Sequence, residues 1–222
     1  MTDVLAELEW RGLVSQTTDI DALRAAIAQG PITVYCGFDP TAPSLHFGNL
    51  VQLVVLRHFQ LHGHRVICLV GGSTGLIGDP KPTSERVLKT KEQTAANVAR
   101  IKALVQPFLW FAGDDPAGRA GESTSTGGAP ATPMLPAILV DNLDWTAPMT
   151  ALDFLRDVGK HFRVNHMIRK EAIARRLESQ EGISFTEFSY QLLQGLDYLE
   201  LFRAHGCTLQ TGGSDQWGNI TA

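Results

Sequence analysis

The chain alternates short runs of β-branched and aromatic residues with long helical patterns, and that alternation restricts its fold more than any other feature. Ile32 to Cys36 is such a run. It ends at Gly37, passes through a turn-rich loop from Asp39 to Ser44, and gives way to an apolar helical stretch from His46 to Leu61. Arg65 to Val70 repeats the pattern, runs into the glycine-rich stretch Gly71 to Gly78, and a second long helix is expected after Ser84. Strands separated by helices at this spacing are expected to lie parallel in a doubly wound α/β sheet with helices on both faces.

Helical spacing of Val4, Leu5, Leu8 and Leu13, and again from Asp21 to Gln29 before Gly30 and Pro31, places two short helices ahead of the first strand. Ala137 to Val140 is a third candidate strand. Thr150 to Val158, Val164 to Leu177 and Phe185 to Ala204 read as helices, and Cys207 to Gln210 returns to strand before a glycine-bracketed loop from Gly212 to Gly218. Residues 113–136 turn abruptly to Gly, Ser, Thr, Ala and Pro, too poor in apolar surface to offset the entropy of ordering, and are expected to form a flexible insertion.

With 222 residues and 44% hydrophobic content, the chain suits one domain, 1–222. It stops at Thr221 and Ala222 without a helix stop signal, so that domain is expected to be incomplete at its C-terminus. A net charge of -4 argues against gripping nucleic acid over a broad basic surface, so any RNA contact is local. Three cysteines, Cys36, Cys68 and Cys207, without C-x-x-C spacing suggest neither a disulfide framework nor a zinc site, and no metal-binding residues are expected. The apolar runs are too short to span a bilayer, and a cytoplasmic protein without membrane attachment is expected.

The chemistry concentrates in four segments. The first, Tyr35-Cys-Gly-Phe-Asp-Pro-Thr and on to Ser44-Leu-His46-Phe-Gly48-Asn49, sets a small-residue turn, an imidazole and an amide between a strand end and a helix start. Helix N-termini offer unpaired N–H groups to polyphosphate, and Gly48 permits close approach. The others are Gly71-Gly-Ser-Thr-Gly-Leu-Ile-Gly-Asp79-Pro, Phe185-Thr-Glu-Phe-Ser-Tyr190-Gln-Leu-Leu-Gln194-Gly-Leu-Asp197, and Gly212-Gly213-Ser-Asp215-Gln216-Trp-Gly-Asn219. Spaced i, i+4 and i+7, Tyr190, Gln194 and Asp197 fall on one helix face, which on spacing alone reads equally as a solvated polar stripe.

In this order and spacing the segments resemble those of tyrosyl-tRNA synthetases of the bacterial type, class I enzymes whose first signature is written HIGH. The resemblance implies a Rossmann-like nucleotide-binding catalytic domain with a helical insertion. It implies that Gly37, Asp39, His46, Gly48, Asn49, Gly213 and Asp215 bind ATP, that His46, Asn49 and Gln216 serve catalysis, and that Tyr190, Gln194 and Asp79 hold the α-ammonium of L-tyrosine. Asn49 stands where the family usually carries a second histidine; its neutral amide can still donate a hydrogen bond. Tyr35 and Asp197 match the positions that read the tyrosine hydroxyl. A site built to hydrogen-bond a hydroxyl rejects the analogue lacking it, a rule for which tyrosyl enzymes are the standard illustration.

The implied reaction is attack of the tyrosine carboxylate on the α-phosphate of ATP, with Mg²⁺ carried by ATP and no tightly bound cofactor, followed by transfer to tRNA(Tyr). The lysine-containing KMSKS loop and the RNA-binding C-terminal regions of the family are not found in these residues. The family also implies a homodimer formed through the insertion between the two halves of the nucleotide fold, which here contains the amphipathic stretch Phe154 to Met167. The alternatives are a catalytically silent tyrosine- or RNA-binding relative and a tryptophanyl-type sister enzyme.

Overall fold

A computed structural model describes residues 3–81, 84–114 and 133–222. Its elements run α1 (Val4–Trp10), α2 (Ile20–Gln29), β1 (Thr33–Phe38), α3 (Phe47–Leu61), β2 (Arg65–Val70), α4 (Thr74–Ile77), α5 (Lys91–Val105), β3 (Ile138–Asp141), α6 (Leu143–Thr146), α7 (Ala151–Asp153), α8 (Val164–Met167), α9 (Glu171–Glu178), α10 (Phe185–Phe188), α11 (Tyr190–His205), β4 (Cys207–Thr211) and α12 (Trp217–Ile220). The expected flexible insertion falls mostly on 115–132, outside the described residues.

The four strands among the described residues form one parallel sheet in the order β3-β2-β1-β4. Alternate residues of the central strands supply two cores, as the two-residue pleat dictates. Val34, Cys36 and Phe38 of β1, with Val66, Cys68 and Val70 of β2, pack under α1, α3 and α5. Tyr35, Ile67 and Leu69 face the other way, against Leu201 of α11 and Cys207. The three thiols are buried, and burial pushes Cys36 up to about 12 and Cys207 up to about 11. Chain order reverses at β1: β2 and β3 build outward on one side, β4 on the other. That reversal opens a crevice at the carboxyl ends of β1 and β4, the place where such sheets bind ligands.

Several boundaries differ from the sequence expectation. The helix expected after Ser84 begins at Lys91, where Thr90 and Gln93 form a capping box: Thr90 Oγ1 accepts from the Gln93 N–H at 3.2 Å and Gln93 Oε1 accepts from the Thr90 N–H at 3.1 Å. The glycine-rich stretch contains the one-turn helix α4. The expected helix from Val164 to Leu177 is broken at Lys170, whose backbone is extended (φ -64, ψ 135). The one from Phe185 to Ala204 is broken at Ser189 into α10 and α11.

These breaks fold the insertion around a buried ion pair. Arg176 and Glu187 are both almost fully buried, with Arg176 Nη2 3.0 Å from Glu187 Oε2. The guanidinium also donates to the carbonyls of Gly182 (2.9 Å), Ser84 (2.7 Å) and Lys81 (3.2 Å), while Glu187 Oε1 accepts the Arg86 N–H at 2.9 Å. The pair thus fastens the segment after Asp79 to the insertion. Removing one member of a buried pair strands the other charge, so Glu187→Ala should cost about 3 kcal/mol or more in urea denaturation. Arg175→Ala, which breaks the exposed Arg175–Glu171 pair, should cost less than about 1 kcal/mol.

Candidate functional site

The crevice at the switch point is a cleft of about 320 Å³, and all thirteen residues singled out in the sequence line it. β1 contributes Tyr35 and Gly37, with Asp39 just beyond its end. The start of α3 contributes His46, Gly48 and Asn49. Asp79 follows α4, while Tyr190, Gln194 and Asp197 come from successive turns of α11, and Gly213, Asp215 and Gln216 from the loop after β4.

His46 is the N-cap of α3, and Asn49 Oδ1 accepts the His46 N–H at 3.1 Å. With its oxygen so used, the Asn49 amide has its NH₂ donors left for the cleft.

Asp39 is tied on both oxygens: Thr74 Oγ1 donates to Oδ1 at 2.6 Å and Tyr190 Oη to Oδ2 at 2.7 Å. Burial raises its carboxyl above the ordinary range, against the lowering effect of those two bonds. The glycine-rich stretch leaves room for this contact. A Cβ at Gly71 would overlap Asp39 Oδ1 and Thr74 Oγ1, and one at Gly75 would lie 2.6 Å from Pro40 Cγ.

The deep end holds Asp197, 2% exposed. Asn142 Nδ2 donates to its Oδ2 and Trp145 Nε1 to its Oδ1, both at 2.9 Å. Asn142 is itself fixed, its Oδ1 accepting the Ser73 N–H at 2.7 Å and its Nδ2 also reaching Thr74 Oγ1 at 3.1 Å. Burial pushes Asp197 up to about 7, although Asn142 and Trp145 pull it down. Tyr35 is buried against Tyr198, ring centroids 5.6 Å apart. Its hydroxyl, like Gln194 Oε1, has no hydrogen-bond partner among the described residues. Burial, then the nearby Asp197, raises the Tyr35 phenol well above its usual value.

At the other wall, Asp79 accepts from two amides: Gln216 Nε2 on Oδ2 and Asn219 Nδ2 on Oδ1, both at 3.0 Å. Arg86 Nε donates to the Asp79 carbonyl at 2.7 Å and its side chain lines the cleft. Cys36 lines the cleft, but its Sγ lies 3.7 Å from the Gly37 carbonyl. Trp217 borders a neighbouring, largely apolar cavity with Leu5, Leu8 and Phe59.

Sequence reasoning passed over Asn142, Trp145, Thr74, Arg86 and Asn219. Asn142 and Trp145 follow the carboxyl end of β3, on the edge of a parallel sheet where ligands bind, and that position was the available signal. Gly71→Ala should separate Asp39 from Thr74 and destabilise the fold by about 1–3 kcal/mol in chemical denaturation, the usual cost of overpacking.

Residues 28–222 match the family described as tRNA synthetases class I (W and Y). The tyrosine--tRNA ligase of Streptomyces griseus subsp. griseus is 58% identical over 222 residues, all of this chain and 48% of the relative. That of Streptomyces coelicolor is 56% identical over the same span, again 48% of its own length. Among solved structures, a C-terminally truncated Aspergillus nidulans mitochondrial tyrosyl-tRNA synthetase superposes with a TM-score of 0.81 at 32% identity, covering 99% of this chain and 59% of that one. The chain spans about half the length of the curated relatives it matches. With the matched family covering nearly all of the sheet and every wall of the cleft, the chain belongs to the class I tRNA synthetases, in the group of the tryptophan and tyrosine enzymes.

Proposed function

We propose that this chain carries the amino-acid activating site of a tyrosine--tRNA ligase, which joins L-tyrosine to ATP as tyrosyl-adenylate and then passes the tyrosyl group to tRNA(Tyr). The observation that carries the reading is the deep end of the cleft, where the unpartnered Tyr35 hydroxyl lies in a wall shared with the doubly held Asp197 carboxylate. A phenol both donates and accepts, so tyrosine can give its proton to Asp197 and accept from Tyr35. Phenylalanine offers neither, and the indole of tryptophan only donates.

In this reading Asp79, Tyr190 and Gln194 receive the ammonium, and the carboxylate attacks the α-phosphorus as pyrophosphate leaves. The N-terminus of α3, with His46, Gly48 and Asn49, stabilises charge on the phosphates, and Mg²⁺ enters bound to ATP. Gly37, Asp39, Gly213 and Asp215 take the nucleoside part, with Gln216 beside the reacting carboxylate. The chemistry rests on positioning and charge stabilisation and needs no covalent enzyme intermediate. The reading places the protein in the cytoplasm with tRNA. No helix among the described residues is long and apolar enough to cross a membrane.

Calorimetry tests the assignment: tyrosine should bind and phenylalanine and tryptophan should not, while a folded chain that binds none, or prefers tryptophan, refutes it. Because burial raises Asp197 to about 7, its carboxylate is neutral below that pH and a poorer acceptor for the phenol. Tyrosine affinity should therefore rise with pH and level off above 7, falling by up to about tenfold per unit below. Asp197→Asn should abolish the dependence.

The insertion presents Val164 and Phe185, which are 61% and 72% exposed, on an apolar groove that also takes in Leu155 and Phe162. We assign this face to a second copy of the chain, burying the apolar surface of both. Val164→Glu with Phe185→Glu should convert a dimer to a monomer in light scattering.

A further inference from the structure

The Asp79 wall is built as a directed hydrogen-bond chain that starts outside the residues assigned above. Lys170 Nζ donates to Asn219 Oδ1 at 3.2 Å. Asn219 Nδ2 then donates to Asp79 Oδ1 at 3.0 Å and to Gln216 Oε1 at 3.2 Å. Gln216 Nε2 donates in turn to Asp79 Oδ2 at 3.0 Å and to Asp215 Oδ2 at 3.1 Å.

A carboxamide can rotate end for end with almost no change in shape, exchanging donors for an acceptor. Turned round, Asn219 would set its oxygen against Asp79 Oδ1, two acceptors facing each other. The group on the far side opposes that state as well. Burial lowers Lys170 to about 8, so at neutral pH it remains an ammonium and can only donate. The extended backbone that breaks the helix between α8 and α9 brings Lys170 to this position, and its methylene stem runs beside Gly218 of α12, 3.7–4.0 Å from where a Cβ would stand.

We infer that Lys170 and Asn219 are positioning residues for substrate ammonium recognition: Lys170 fixes the orientation of the Asn219 amide, and Asn219 holds the Asp79 carboxylate in the plane that receives the ammonium. The inference rests on the proposed tyrosine site and deepens it. Neither residue touches the amino acid; they act through Asp79.

The test is binding by calorimetry to the chain and its Lys170→Met and Lys170→Arg variants, with circular dichroism confirming that each is folded. Three ligands are compared: tyrosine; tyramine, which keeps the ammonium and loses the carboxylate; and para-ethylphenol, which loses both. Lys170→Met retains the stem but not the donor, and should weaken tyrosine and tyramine by about fivefold to tenfold while leaving para-ethylphenol unchanged. Lys170→Arg should restore most of the loss.

A general packing role would weaken all three ligands together and overturn the inference, as would unchanged tyramine binding in Lys170→Met or failure of arginine to rescue. Asp79→Asn separates this failure from failure of the site itself. If tyramine binds the unsubstituted chain no better than para-ethylphenol, or Asp79→Asn leaves tyramine affinity unaltered, the ammonium assignment falls and the relay falls with it. If Asp79→Asn weakens tyramine and Lys170→Met does not, the site stands and only the relay is wrong.

Discussion

Everything in this molecule depends on β1 having parallel neighbours on both sides that arrive from opposite directions of winding. Each crossover must carry its helix away from β1, so no connection covers the carboxyl ends of β1 and β4. The start of α3, the loop after β2 and the loop after β4 converge on that uncovered edge from three parts of the sequence. The two long core helices α3 and α5 lie on one face and α11 on the other, which makes the edge rigid as well as open.

The walls around this edge are acidic. Asp39 and Asp197 are each held by two protein donors, and Asp79 by two amides. Hydrogen bonds keep these carboxylates in place without neutralising them, and the raised positions of Asp39 and Asp197 measure the unrelieved cost of burial. Such a cleft is poised for a ligand that brings donors and positive charge, as an amino acid with an ammonium at one end and a hydroxyl at the other does. Gly71 and Gly75 permit the crowding, because side chains there would take the space occupied by Asp39, Thr74 and Pro40.

Much of this was legible in the residues. The continuous apolar runs of β1 and β2 announced buried parallel strands, and the spacing of Tyr190, Gln194 and Asp197 put three polar groups on one helix face. Less legible was whatever depends on contacts distant in sequence. Ser189 and Lys170 break helices that periodicity would continue, because the breaks serve the Arg176–Glu187 pair and the contact with α12, neither visible in a local window. Asn142 and Trp145 reach Asp197 across more than fifty positions of chain, and an isolated Asn or Trp after a strand carries no spacing that would reveal it.

The three thiols give the core a built-in reporter. Cys36 and Cys68 are register partners on β1 and β2, and Cys207 opens β4, so the cysteines sample three of the four strands. All are buried, and burial holds each in the unreactive thiol form while the sheet is intact. A thiol-directed reagent therefore reads the frequency with which each strand is exposed, so that separate labelling rates at the three positions distinguish fraying of β4 at the sheet's end from opening of the centre.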